Sequence, residues 1–345
     1  MTEVTYNNRR AVRLENDHLR VTVLVGGGHI AEIFHKKAGV NPLWTPPWPS
    51  IEPSHFNPAT DTGYGADAES KLLSGIMGHN LCLDIFGGPS EDEAAAGITV
   101  HGEGSVLDYE IRPDGDGLQC TVLLHAPMLL FQRHIHLDGE TVRISETVNN
   151  MTACDRALAW TQHVTLGPPF IEPGLTEFRT NATLSKTFES DFTDGKGYMA
   201  IGEEFVWPHV PHKDGGAVDL RVFPAYEVSG GYTAHLMDPE SEDSHFLAWS
   251  PTSKLLFGYR WKRSDFPWLG IWEENRCRTS APWNGVTITR GMEFGVSPFP
   301  ETHRAMIDRG TLFGERTYRW IPARSSASVD YTIVARMSDT VPDSL

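Results

Sequence analysis

The chain has 345 residues, of which 40% are hydrophobic, so it is long enough to bury a large core. Its formal net charge is −16, and no block of lysine and arginine interrupts that balance, which argues against nucleic acid and anionic membranes as partners. A neutral small molecule is the expected ligand. The 32 glycines and 23 prolines are spread along the chain, which favours many short strands joined by turns.

The N-terminal residues MTEVTYNNRR lack the apolar core of a secretion signal, and no apolar run approaches the ~20 residues that span a bilayer. We therefore expect a cytoplasmic protein. Its cysteines, Cys82, Cys120, Cys154 and Cys277, show no CxxC spacing, so free buried thiols are expected rather than a zinc site or disulfides. The sequence carries no signal for an oligomeric state.

The first elements are strands joined by turns. Alternating apolar and polar residues predict strands at 11–16, 19–25 and 29–34. The glycine triplet at 26–28 lies between two of them. A phosphate loop needs a following helix and a Lys-Ser/Thr ending, which are missing here, so a tight turn is predicted.

A loop rich in proline and tryptophan follows at 41–62. It is stiff and holds the flat apolar rings of Trp44, Trp48 and Phe56. Such rings can form the rim of a sugar-binding site, or they can pack onto the wall of the domain. The pattern leaves both interpretations open.

The rest of the chain predicts an all-β fold. One short helix is predicted at 91–96, and the predicted strands are 106–111, 118–124, 131–137, 140–148, 157–164, 246–249, 255–261, 269–272, 286–289, 318–321 and 328–336. Turns such as Asp138-Gly139 join several of them as a meander. We expect residues 1–345 to form a single domain, a large antiparallel β-sandwich of several sheets with few short helices.

A carboxylate stands out near the C-terminus, in the segment RGMEFGVSPFP at 290–300. Glu293 lies between Met292 and Phe294, and the strand is predicted to break at Gly295. A carboxylate at a strand end between large apolar side chains is partly desolvated, which raises its pKa toward the range of a general base. A solvent-facing glutamate on a strand is the alternative.

Two histidines have settings that suit a cleft. His101 precedes Gly102 at a predicted strand-to-turn junction, and His163 ends the predicted strand ALAWTQH ahead of a Gly-Pro-Pro exit. A rigid backbone behind an imidazole can hold it toward a cavity. Each residue, taken singly, is also compatible with a hydrogen-bonded structural histidine.

Motifs for a metal site, a covalent nucleophile or a glycosidase pair are incomplete or missing in the sequence. His134 and His136 form an HxH pair with Glu140 nearby, as in a cupin-like metal site, but the flanking glycines of that motif are missing, so a polar strand face is predicted. No GxSxG nucleophile motif is present. Glu273 and Glu274 are adjacent and would face opposite sides of a strand, which is unsuited to a glycosidase pair.

The ordered set of segments resembles the aldose 1-epimerase, or galactose mutarotase-like, superfamily. The matching pieces run in the family's order over residues 11 to 336: LENDHLRVTVLVGGGHIAEI, VHGEGS, FQRHIHLDGETVRISETVNN, AWTQHVTLGPPF, FPWLGIWEEN and RGMEFGVSPFP. The resemblance implies the large antiparallel β-sandwich of the mutarotases, and an enzyme that interconverts sugar anomers.

The resemblance also implies site residues. His101 matches the first histidine of the family, His163 the second, and Glu293 the general base. Substrate-binding positions are implied at His79 and Asn80, which occupy the region of the family's arginine segment, and at Trp272 and Glu273, which resemble a segment lining the sugar pocket of hexose-phosphate mutarotases. No basic cluster for a phosphate is evident, which argues against a sugar phosphate.

The implied reaction is acid/base opening and reclosure of a cyclic hemiacetal. Glu293 would take the proton of the anomeric hydroxyl, His163 would give a proton to the ring oxygen, and His101 would polarise the sugar. No metal, nucleotide or other cofactor is needed. The alternatives are a non-catalytic carbohydrate-binding protein, a sugar lyase or isomerase on the same scaffold, and a metal-dependent cupin.

Overall fold

A computed structural model describes residues 1–344. Strands form most of its regular structure. In chain order they are β1 (Thr2–Tyr6), β2 (Arg9–Glu15), β3 (Leu19–Leu24), β4 (Ile30–His35), β5 (His79–Asp84), β6 (Glu110–Asp114), β7 (Gly117–Leu124), β8 (Leu129–Asp138), β9 (Thr141–Asn150), β10 (Arg156–Leu166), β11 (Glu177–Thr180), β12 (Ala182–Thr187), β13 (Glu204–Val206), β14 (His209–Pro211), β15 (Ala217–Asp219), β16 (Ser229–Met237), β17 (Asp243–Ser250), β18 (Leu255–Lys262), β19 (Trp268–Asn275), β20 (Ile288–Gly295), β21 (Thr311–Leu312), β22 (Glu315–Arg316), β23 (Arg319–Ile321) and β24 (Ser326–Met337).

Helices are short. They are α1 (Ser70–Leu73), α2 (Glu91–Ala95) and α3 (His303–Arg309). The predicted helix is found as α2, which begins with a capping box between Ser90 and Glu93. The sequence analysis missed α3, although Thr302 caps its first turn and Gly310 follows its last residue, which are standard boundary signals.

Two large antiparallel sheets form the protein. The larger sheet has 12 strands, in the order β1-β2-β3-β4-β5-β10-β20-β19-β16-β12-β13 with β23 added beside β10. The smaller has 8 strands, in the order β11-β17-β18-β24-β9-β8-β7-β6. Neighbouring strands run antiparallel in both sheets. The predicted all-β antiparallel sandwich is therefore confirmed, while the assignment of residues 1–345 to one domain stays a prediction.

Most predicted strands are present with longer bounds. The strand expected at 157–164 is the longer β10, and the glycine triplet is a turn between β3 and β4. The strand expected at 106–111 is wrong at its start, because Val106 ends a 3₁₀ turn and β6 begins at Glu110. β16 was missed because all of its residues are buried, so its sequence has no polar alternation to mark a strand.

The sheets are held together by aromatic packing between their inner faces. Phe294 of β20 stacks on Trp261 of β18 with ring centroids 4.2 Å apart, and it meets Tyr331 of β24 at 5.4 Å. Phe294 is fully buried. Burial of a side chain of this size stabilises the fold by about 1.5–3 kcal/mol. The inner face of the larger sheet is thus a structural core, and its outer face is free for other roles.

One buried carboxylate joins the two sheets. Glu146 of β9 accepts hydrogen bonds from Arg133 Nε at 2.7 Å and Tyr331 Oη at 2.7 Å in the smaller sheet. It also accepts from Gln162 Nε2 at 2.6 Å and Trp160 Nε1 at 3.1 Å, both on β10 of the larger sheet. Charged groups in a dry interior are tolerated only when they are paired and hydrogen-bonded, and this carboxylate is.

Two further sequence expectations concern membrane-spanning segments and thiols. Cys82, Cys120 and Cys277 are free and buried as expected, but Cys154 is exposed. Within residues 1–344, no helix has the length and apolar character needed to cross a membrane.

Loss of the Glu146 charge should destabilise the protein strongly. Glu146→Gln leaves the Arg133 guanidinium buried without its counter-charge, and breaking a buried ion pair in this way costs about 3–5 kcal/mol. We expect a correspondingly lower urea midpoint, followed by far-ultraviolet circular dichroism. Asp138→Asn is the control, because its pair with Arg143 is exposed on both sides and should contribute about 0–1 kcal/mol. Equal midpoints for the two variants would contradict this role of Glu146.

Candidate active site

Three neighbouring strands at the centre of the larger sheet bring polar side chains together. His163 on β10 lies directly opposite Glu293 on β20 and opposite Asn80 on β5. Directly opposite residues in a sheet point to the same face. All three therefore project from the outer face, away from the aromatic core between the sheets. The sequence places them far apart, and strand register brings them into one row.

The histidine and the glutamate are in direct contact. His163 Nε2 lies 3.0 Å from Glu293 Oε1. The other ring nitrogen, Nδ1, lies 3.1 Å from Thr165 Oγ1 and 3.5 Å from Asn80 Nδ2. Asn80 is itself held by Ser105, whose hydroxyl lies 3.3 Å from Asn80 Oδ1. The imidazole is thus fixed in orientation, with one nitrogen committed to the carboxylate.

Glu293 also needs space on its own strand. A Cβ at Gly291, two residues earlier on the same face, would lie 2.4 Å from Glu293 Oε1. A side chain at that position would displace the carboxylate. The glycine that precedes Glu293 in the sequence therefore gives the carboxylate room to lie flat across the sheet toward His163.

Burial shifts the pKa of both groups toward their neutral forms. Desolvation raises the pKa of Glu293 well above its usual value of 4.5. Desolvation also lowers the pKa of His163 to about 4. The pair can therefore hold one shared proton over a wide pH range, on the carboxylate or on the imidazole. Groups whose pKa values are shifted in this way are typical of acid/base sites.

A second imidazole, that of His101, lies beside His163. Its ring centroid lies 4.8 Å from that of His163, and its Nδ1 is buried with no hydrogen-bond partner in the described part of the chain. Burial, and secondarily His163, lowers the pKa of His101 well below 6.5, so this ring is neutral. The residue has φ of 61°, a left-handed conformation that is uncommon outside glycine. The backbone is thus strained to aim this side chain.

A cavity of about 230 Å³ lies over these residues. His101, His163 and Glu293 form its polar end. Apolar side chains supply most of the remaining lining: Leu72, Leu73, Ile76, Phe86, Val100, Phe188, Phe192, Tyr232, Trp272 and Trp283. Its volume lies below the ~300–1,000 Å³ of sites for drug-sized ligands, so it suits one small ring.

The tryptophans of the loop at 41–62 support this wall from behind. Trp44 is buried and stacks on Trp283 with centroids 6.1 Å apart. Trp48 meets Trp283 edge-on at 5.0 Å, and its Nε1 donates to the carbonyl of Leu73 at 2.8 Å. Neither Trp44 nor Trp48 lines the cavity. These tryptophans of the loop therefore pack onto the wall of the domain, which is the second of the two interpretations.

A second polar group lies among the lining residues, formed by Arg278 and Glu69. The Arg278 guanidinium lies 3.5 Å over the Trp283 ring and is paired with the buried Glu274 at 3.0 Å. Its Nη1 reaches Glu69 at 3.6 Å. The positive charge is therefore largely compensated by carboxylates, which makes this end a poor site for a phosphate.

Two predicted substrate-binding residues lie inside the sandwich instead. His79 is fully buried, and its ring bonds to Gln162 Oε1 at 2.9 Å and to the Tyr259 hydroxyl at 3.1 Å. Glu273 is fully buried in a pair with Arg290 at 3.0 Å. Each is one residue away from a side chain on the cavity face, so strand alternation turns it inward. Asn80 lies on the cavity face and contacts His163, whereas Trp272 lines the cavity.

Two local expectations about the catalytic candidates also need correction. Met292 and Phe294 do not wall the carboxylate, because both point into the core on the opposite face from Glu293. Its desolvation comes from the cavity wall. His163 does not end its strand, since β10 continues to Leu166 before the Gly-Pro-Pro exit. The orientation of His163 is therefore fixed because β10 pairs with β5 on one side and with β20 on the other.

Sequence analysis missed most of the wall. Tyr232 of β16 lines the cavity, and its hydroxyl donates to the carbonyl of Pro298 at 2.9 Å. Gly270, opposite Glu293, leaves room for this ring, because a Cβ there would lie 2.1 Å from the Tyr232 hydroxyl. Phe188 and Phe192 come from a loop with no recognisable motif. In the sequence, the apolar character of these segments is the only signal that could have identified them as part of the cavity wall.

Comparisons with known proteins agree with the architecture. No protein-family model matches this sequence, and no curated protein matches it by sequence. A provisionally assigned aldose 1-epimerase from Klebsiella pneumoniae superposes with a TM-score of 0.66 at 13% identity, over 96% of this chain and 80% of that one. A galactose mutarotase-like protein from Clostridium acetobutylicum superposes with a TM-score of 0.62 at 14% identity, over 98% of both chains.

A third structure gives the same result. A provisionally assigned aldose 1-epimerase from Escherichia coli K12 superposes with a TM-score of 0.64 at 11% identity, over 95% of this chain and 99% of that one. Identities this low establish a common architecture and leave activity open. The resemblance inferred from the ordered sequence segments is thereby confirmed at the level of the fold: this chain has the galactose mutarotase-like β-sandwich fold.

Proposed function

We propose that the protein interconverts the anomers of a small cyclic hemiacetal, by acid/base opening and reclosure of a sugar ring. The observation that carries this proposal is the buried pair of His163 and Glu293, in contact at 3.0 Å at the polar end of an apolar cavity. Ring opening needs one group that takes a proton and another that gives one, both within reach of adjacent oxygens. The pair supplies both groups.

The pair has two forms that differ by the position of one proton. In the charged form, Glu293 is a carboxylate and His163 an imidazolium. The carboxylate takes the proton of the anomeric hydroxyl while the imidazolium gives its Nε2 proton to the ring oxygen. The bond between the ring oxygen and the anomeric carbon breaks, which leaves an aldehyde and the neutral form of the pair. After rotation at the aldehyde carbon, the reverse transfers close the ring as the other anomer.

Burial determines which form of the pair is populated. The pKa of Glu293 is raised and that of His163 is lowered, so the cavity favours the neutral form that accompanies the open-chain sugar. The free protein rests in this neutral form too, so the charged form that opens the ring is the less populated of the two. The direct contact of the two groups also lets the proton pass between them when the cavity is empty. Thr165 and Asn80 act as positioning residues, because they touch only the far side of the imidazole.

The cavity wall favours a sugar with few hydroxyl groups. Trp272 and Trp283 offer flat rings for the apolar face of a pyranose, as carbohydrate sites commonly do. Most other lining side chains cannot form hydrogen bonds, and each buried hydroxyl without a partner costs about 1–3 kcal/mol. We therefore expect a deoxyhexose to be a better substrate than a fully hydroxylated hexose, with His101 bonding near the ring oxygen.

Two other functions remain as alternatives on this fold. A non-catalytic carbohydrate-binding protein would bind sugars without accelerating anomer exchange, which polarimetry and exchange NMR of freshly dissolved α-anomers distinguish from catalysis. A lyase would create a double bond that absorbs in the ultraviolet. The preformed contact of an acid and a base favours the epimerase over simple binding, which needs no such pair.

Loss of the carboxylate should abolish most catalysis. Glu293→Gln keeps the shape of the side chain but cannot exchange a proton, so we expect anomer exchange to slow by about 10²–10⁴-fold. Polarimetry of a fresh α-deoxyhexose, corrected for the spontaneous rate, measures it. Glu32→Gln is the matched control, because Glu32 is a buried carboxylate of the same sheet that pairs with Arg20 outside the cavity. A folded Glu293→Gln protein with near-normal exchange would remove Glu293 from this role.

Activity should depend on pH on both sides of a plateau. Below the pKa of His163, about 4, the pair gains a second proton and loses its base. Above the raised pKa of Glu293, the pair loses its shared proton and therefore its acid. We expect rates to fall by about tenfold per pH unit on each limb. The residual activity of the Glu293→Gln protein, measured at the same pH values, should lack the alkaline limb, and a wild-type profile identical to the spontaneous one would contradict the mechanism.

A further inference from the structure

The HxH pair lies on the opposite side of the sandwich from the cavity. His134 and His136 alternate with buried residues on β8 and project from the outer face of the smaller sheet. Glu140, the third ligand considered from the sequence, turns away and contacts His35 Nε2 at 3.1 Å. A different carboxylate takes its place. Asp114, at the end of the edge strand β6, reaches both imidazoles.

Three ligand atoms converge at this point. Asp114 Oδ2 lies 2.7 Å from His134 Nδ1 and 3.3 Å from His136 Nε2. All three atoms lie within 4.8 Å of one another. In a tetrahedral zinc site with bonds of about 2.05 Å, neighbouring ligand atoms are about 3.3 Å apart. One of the two separations from Asp114 Oδ2, 3.3 Å, equals this value, and the other, 2.7 Å, is shorter.

The surroundings hold the second imidazole in place. A Cβ at Gly117 would lie 2.5 Å from His136 Nδ1, so the ring occupies space that a side chain would fill. Asp116 Oδ1 lies 3.3 Å from the same Nδ1. Metal-bound histidines commonly give their other ring N–H to a carboxylate, which fixes the tautomer and leaves the opposite nitrogen free for the ion. Asp116 and Gly117 together turn His136 Nε2 toward Asp114.

We propose that Asp114 Oδ2, His134 Nδ1 and His136 Nε2 bind one divalent transition-metal ion of the zinc type. Two imidazoles and one carboxylate form a borderline donor set that suits Zn²⁺ or Co²⁺ better than Mg²⁺ or Ca²⁺, which prefer oxygen ligands alone. The three ligands leave the fourth position to water, since the side chains are only partly buried. The net charge of −16 favours cation binding in general.

The bound ion would stabilise an edge of the smaller sheet. β6 is its last strand, and Asp114 leads into the turn that joins β6 to β7. β8 lies on the far side of β7. Coordination would therefore tie the edge hairpin to β8 across the intervening strand. The site is independent of the proposed epimerase activity, whose residues are on the other sheet.

Calorimetric titration of the metal-free protein with ZnCl₂ tests this proposal. We expect one equivalent to bind, with a higher unfolding temperature for the zinc-loaded protein because only the folded chain holds the three ligands together. Co²⁺ should give the intense visible absorption of a tetrahedral complex. His134→Ala and His136→Ala should each remove this equivalent. Asp116→Asn should weaken binding by about 10–100-fold while leaving one equivalent.

A surface histidine provides the control. His209 is exposed and lies on β14, which pairs with β15 outside the smaller sheet, so His209→Ala should leave zinc binding unchanged. Circular dichroism of each metal-free variant checks that the fold is kept. Absence of a zinc equivalent in the wild-type protein, or an equivalent that survives both His134→Ala and His136→Ala, would overturn the proposal. So would an octahedral Co²⁺ spectrum that neither substitution alters.

Discussion

The hydrogen bond between Gln162 and Glu146 is the constraint on which the site depends. It is 2.6 Å long and lies in the dry interior, where Glu146 also neutralises Arg133. Because successive residues of a strand face opposite sides, holding Gln162 inward holds His163 outward toward the cavity. The charge balance of the core and the outward orientation of the His163 imidazole therefore both follow from one strand register.

Two buried carboxylates near the centre of the protein, those of Glu146 and Glu293, have contrasting environments. Glu146 accepts hydrogen bonds from four donors, one of which is the Arg133 guanidinium. Glu293 contacts the imidazole of His163, and desolvation raises the pKa of Glu293. Several hydrogen-bond donors stabilise a buried carboxylate in its charged form, whereas a buried carboxylate with few donors binds a proton more readily. The two environments lie on the inner and the outer side of the larger sheet.

The sequence predicted the fold class, because the fold follows from ordered segments and strand patterns. His101, His163 and Glu293 line one cavity, as their resemblance implied. His79 and Glu273 were misassigned, since a motif places a segment near a site but the parity of each residue in its strand decides its face. The cavity wall was not predictable, because Tyr232 and the loop phenylalanines meet only through long-range contacts that no local pattern encodes.

The alignment of His163 and Glu293 on two adjacent strands limits how such a sequence can change over evolution. An insertion or deletion of a single residue within β10 or β20 would exchange inward and outward side chains along the remainder of that strand. It would bury a proton donor or acceptor and expose a core aromatic at the same time. Length variation should therefore accumulate in the connections that roof the cavity, while the central strands diverge only by substitution.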